Sequence, residues 1–75
     1  MKFSDVERLL DVARSDRQRV VILERVLPKL RGEGLRSALI VLANLYVLRK
    51  EFRKASGVFE IVGMHEDAVK ARARI

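Results

Sequence analysis

Arg49, Lys50, Arg53 and Lys54 put four cations between positions 49 and 54, with Phe52 among them. A cluster of that kind can grip phosphate groups or an acidic peptide. It also reads as a solvated turn whose cations complement the carbonyl end of a helix. Lys70, Arg72 and Arg74 either extend the same basic surface or make a frayed polar end. The other reactive side chains are sparse. His65 is the only histidine, and His65-Glu66-Asp67 is followed by Val69 where a zinc-binding helix would need a second histidine. No nucleophile stands beside a base and no glycine-rich loop is spaced to cradle phosphate, so neither catalysis nor a cofactor or metal is expected. Asn44 is the only asparagine and falls inside an apolar stretch.

The chain around these residues has 75 positions, enough for one small domain near the lower limit at which an apolar core outweighs chain entropy. Hydrophobic residues make up 49% of it and aromatic residues 5%, so the core must be aliphatic, which suits packed helices. The net charge is +6. Residues 1 to 35 carry eight basic and six acidic side chains and residues 36 to 75 carry eight and four, so the excess leans toward the second half without forming a cationic arm. Absence of cysteine rules out a disulfide framework and fits a reducing compartment, with cytoplasm as the expected location. The charged start reads as no signal peptide, and the apolar run from Ala38 to Leu48 is too short to span a bilayer.

Five helical segments are expected to position the cations. Ser4 and Glu7 have the spacing of a capping box, and Val6, Leu9, Leu10 and Ala13 follow as one apolar stripe. Ser15 and Gln18 repeat the capping pattern before a second helix from Asp16 to Leu27, which Pro28 either ends or kinks near its last turn. Lys29 to Gly34 reads as a linker. Ser37 to Lys50 is the strongest helical segment, apolar on most sides. Phe52 to Val62 makes a fourth, closed by Gly63, and Glu66 to Arg74 a short fifth.

Within the third and fourth segments, Leu39, Leu42, Ala43 and Tyr46 are followed by Ala55 and Phe59. This pattern resembles the tetratricopeptide repeat (TPR) family, in which small residues sit where paired helices cross and aromatic residues fill the space beside them. Leu39 stands where the family often has Trp, and Asp67 where it often has Pro. A shift of 33 positions brings Val6, Leu9, Leu10 and Ala13 under the third segment's pattern, making residues 4 to 30 a degenerate first hairpin. The resemblance implies an all-α fold: two antiparallel TPR-like hairpins (4 to 30 and 37 to 63) and a capping helix (66 to 74), forming a short right-handed α-solenoid.

In that family the first helix of each hairpin lines a groove. The resemblance places Ile40, Val41, Asn44, Val47 and Leu48 there, an apolar surface with one amide in it. Either neighbouring helices cover this surface, or it receives an apolar partner segment or a second copy of the chain, and the burial of Val47 and Leu48 decides. Some relatives use an asparagine like Asn44 to clamp a partner's terminal carboxylate. Ile40 replaces the basic residue such a clamp needs one turn earlier, so no clamp is expected. Function follows as a non-catalytic protein or peptide interaction or scaffold module, with self-association into a homo-oligomer as one mode and no membrane partner. The competing reading is a small basic nucleic-acid-binding protein that uses Arg49 to Lys54 and the C-terminal cations.

Overall fold

A computed structural model describes all residues from Met1 to Ile75. Its first helix, α1 (Phe3–Val12), begins where the Asp5 carboxylate accepts a hydrogen bond from the Lys2 amide at 3.2 Å. Asp5 thus does the reach-back expected of Glu7, and Ser4 lies inside the first turn rather than before it. The second cap is as the sequence predicts. Ser15 Oγ accepts from the Gln18 amide at 3.2 Å, Gln18 Oε1 accepts from the Arg14 amide at 2.7 Å, and α2 runs Asp16–Val26. Pro28 falls in a single tight turn, Leu27–Lys29, that ends this hairpin.

The expected linker is mostly helix. Only Leu30 and Arg31 are extended, and α3 (Gly32–Leu48) already includes Gly32 to Gly34. Leu30 is itself buried, so this short connection carries a core side chain. Gly32 at φ +57° supplies the left-handed backbone needed to start α3 straight after it. The ends of α3 and α4 (Phe52–Ile61) are built alike. The Glu51 amide donates to the Tyr46 carbonyl at 2.8 Å and the Lys50 amide to Val47 at 3.0 Å. Met64 donates to Phe59 at 2.8 Å and Gly63 to Glu60 at 3.1 Å. Each pair is a Schellman closure, which demands a left-handed residue: Gly63 at φ 80° in one, Lys50 at φ 61° in the other. α5 (His65–Arg72) follows.

The chain is all-α, with consecutive helices packed as hairpins and α1 also reaching α3. The assembly is a slab of 33 × 27 × 15 Å, little more than one layer of helix pairs in its thin direction. That thinness explains why Leu23 and Val6 are the largest side chains wholly shut off from water. Leu42, Ala43, Tyr46, Ala55 and Phe59 are all buried within one apolar cluster at the centre of the fold, whereas Leu39, the first residue of the repeat-like pattern, is half-buried outside it. The 33-residue correspondence weakens in the first hairpin. Leu9, matched to buried Leu42, is 39% exposed, because α1 sits at the slab edge and faces the core mainly through Val6 and Leu10.

Two arginines tie helix ends together. The Arg19 guanidinium, on α2, donates to the carbonyls of Leu10 at 3.3 Å and Ala13 at 3.2 Å, and to Asp16 Oδ1 at 2.9 Å. Arg36, in α3, donates to the Val62 carbonyl just past α4. The Ala13 and Val62 carbonyls have no backbone donor, so these arginines satisfy groups that a helix end leaves open, while the Leu10 carbonyl also accepts from the Ala13 amide. No helix is long and apolar enough to cross a membrane.

Candidate functional site

The burial pattern of α3 follows from its geometry. Ala38, Leu42, Ala43, Leu45 and Tyr46 are buried, and at 3.6 residues per turn they cover roughly half the circumference. Asn44 stands opposite them, exposed, with its Nδ2 donating to the Ile40 carbonyl at 3.0 Å. Its amide is thus engaged on its own helix. Of the other groove positions, Ile40 is half-buried, while Val41 and Val47 are half-buried against the core cluster. Leu48 is 69% exposed. The five residues therefore do not share one open surface: two support the core, and Leu48 stands free at the end of α3.

Asn44 and Val47 meet α5 instead. With Phe59 and Ala71 as apolar floor and Asp67, Lys70 and Arg74 along one side, they line a depression of about 190 Å3. The last helix thus supplies one wall of the α3 groove. A larger depression of about 500 Å3 lies at the α3–α4 turn, lined by Lys50, Phe52, Arg53, Lys54, Arg74 and Ile75 around Glu51. The two depressions share Phe52 and Arg74. The Arg74 guanidinium carbon lies 4.7 Å from the centre of the Phe52 ring, a cation–π distance that brings the C-terminal cation to the turn.

The four turn cations are not equivalent. Arg49 Nε lies 3.6 Å from Glu51 Oε2, and Lys54 Nζ lies 3.7 Å from Glu51 Oε1 and 5.6 Å from the centre of the Tyr46 ring. Glu51 Oε2 is buried with no hydrogen-bond partner, so Glu51 acts as the internal counter-charge of the turn. Lys50, Arg53 and Arg74 make no ion pair. Arg72 is turned away and pairs with Glu60, so it does not extend the basic surface, whereas Arg74 does and Lys70 borders the adjoining depression.

Glu51 is the residue sequence reasoning overlooked. Its signal was present, since a carboxylate three positions before Lys54 at a helix start faces that lysine. The Arg74–Phe52 stacking had no local signal, because it joins α5 to the turn through tertiary packing. Beneath the turn, burial holds the Tyr46 phenol well above the usual tyrosine range, aided by its hydrogen bond to Glu24 and the charges of Glu24 and Glu51, and opposed by Arg49. His65 is exposed at the first turn of α5, and no three His, Asp or Glu side chains converge on one point.

No family model, no curated protein and no solved structure matches the chain. The class that the fold and geometry define is a small all-α hairpin protein with a basic turn and an adjoining groove of mixed apolar and charged lining.

Proposed function

We propose that the chain is a non-catalytic, TPR-like interaction module that holds a peptide segment of a protein partner. One observation carries this reading. The groove at Asn44 and Val47 and the basic depression at Lys50, Arg53 and Lys54 adjoin through Phe52 and Arg74, making one surface with an apolar part and a charged part. Such a surface suits a segment that offers side chains to both.

Selection of a displayed library of random short peptides against the intact chain tests the proposal. Enriched peptides should shift the amide resonances of Asn44, Val47 and Phe52. Lys70→Glu, at the border of the groove, should weaken the same peptides while leaving the helical spectrum unchanged. Enrichment of no peptide, or shifts confined to α1 and α2, would count against it. A second reading, binding of single-stranded nucleic acid, is favoured by the three unpaired cations at the turn and requires binding that falls steeply with added salt.

A further inference from the structure

The distribution of unpaired charge across the adjoining depressions says more about the occupant. Glu51 is shared between Arg49 and Lys54, so those two cations are already answered within the protein. Lys50, Arg53 and Arg74 are not, and all three line the same depression. Lys50 is exposed, and its left-handed backbone at φ 61° is set by the Schellman closure of α3 rather than by any side-chain partner. Arg53 is exposed in the first turn of α4. A cation there faces the positive end of the helix dipole, so its charge is unfavourable locally and is relieved when an anion arrives.

Beside those cations lie two apolar side chains, Phe52 and Ile75. Past Phe52 the surface continues over Val47 and the edges of buried Phe59 and Ala71, bordered by Asn44, Asp67 and Lys70, so Asp67 is the one carboxylate there and Lys70 a further cation without an ion pair. A single nucleic-acid strand satisfies the cations and can stack a base on Phe52, but it offers no aliphatic side chain for Val47. An acidic peptide segment with an apolar side chain beside its carboxylates satisfies both.

Resting on the peptide-binding reading above, we infer that the partner segment is acidic: carboxylates at Lys50, Arg53 and Arg74, and a neighbouring apolar side chain past Phe52 toward Val47. This differs from a terminal-carboxylate clamp on the inner face of α3, since Asn44 is bonded to its own helix and Ile40 offers no charge. The surface needs no free chain end.

Three probes titrated into the intact chain under nuclear magnetic resonance test this. One is a short peptide with Leu and Phe flanked by Asp and Glu. The second replaces every Asp and Glu by Asn and Gln, and the third is oligodeoxythymidine. The acidic peptide should shift Lys50, Phe52, Arg53 and Val47 and should bind at least about tenfold tighter than its neutral counterpart at low salt. Lys50→Glu with Arg53→Glu should remove that preference, and Lys50→Gln with Arg53→Gln should reduce it to an intermediate level, both with unchanged circular dichroism. Equal binding of the acidic and neutral peptides would overturn the acidic assignment and leave the peptide-binding module standing. Binding of oligodeoxythymidine without either peptide would overturn both, as would an acidic preference unaffected by the double charge reversal for the assigned site.

Discussion

The Tyr46 hydroxyl donates to Glu24 Oε2 at 2.6 Å, fastening α3 to α2 across the junction of the two hairpins. The ring is buried and the carboxylate exposed, so the bond joins the core to the surface. Tyr46 occupies the aromatic position of the repeat-like pattern, and its polar tip therefore works between hairpins while its ring packs in the centre.

Tyr46→Phe keeps the ring and loses the bond, and because Glu24 can then be hydrated the cost should be about 1 kcal/mol. For a chain of this size that lowers the thermal midpoint by roughly 4–8 °C. The pH dependence has a definite sign. The folded-state pKa lies above the unfolded value of 10.0, so this stabilisation is complete below pH 10 and is lost as pH rises beyond it. Tyr46 is the only tyrosine, so tyrosinate absorbance reports it alone. That signal should rise together with loss of helical circular dichroism. Tyrosinate forming near pH 10 while the helices remain intact would refute the assignment.

Lys50 and Gly63 close equivalent helix ends, and only one of them is glycine. Lys50→Gly should relieve the left-handed backbone and stabilise the fold by roughly 0.5–1 kcal/mol net of the entropy glycine adds to the unfolded chain. Gly63→Ala should destabilise by about 1 kcal/mol although its Cβ would meet nothing within 4 Å, since the strain is in the backbone. Urea unfolding of both variants checks the opposite signs.

Arg19 contacts two carbonyls at the end of α1 and one carboxylate within α2. If the carbonyls matter most, Arg19→Lys should lose most of the roughly 1–2 kcal/mol lost in Arg19→Ala, because an ammonium cannot reproduce the planar fork. Asp16→Asn should change stability little, as expected for a surface pair. Equal losses in Arg19→Ala and Asp16→Asn would assign the effect to the ion pair instead.

Ala43 and Ala55 are fully buried in the central cluster. Ala43→Leu or Ala55→Leu should each cost about 1–3 kcal/mol by overpacking. With roughly 4–11 kcal/mol expected for the 75-residue domain, either change should be visible in a thermal melt. A neutral outcome at both positions would mean that the helices do not cross closely there.

Much of this fold is legible in the chain. The helical spacing of its apolar residues, the Ser15 cap, the stop at Pro28 and the closure at Gly63 are local effects, carried by backbone geometry and side chains within a few positions. The same locality explains the misplacements: Asp5 and Glu7 can both reach back to a helix start, and residue types alone do not choose between them. Lys29 to Gly34 reads as linker by composition, yet α3 begins inside it, since packing of Leu30 and α3 outweighs the low helix propensity of two glycines.

The cations at positions 49 to 54, the apolar side chains of α3 and the left-handed closures are written in the order of residues, since each depends on near neighbours along the chain. Which cations stay unpaired, that Arg74 returns to Phe52, and that α5 walls the groove at Asn44 and Val47 were settled only by the packed helices. Those outcomes depend on distances between segments far apart in sequence, which no local pattern specifies.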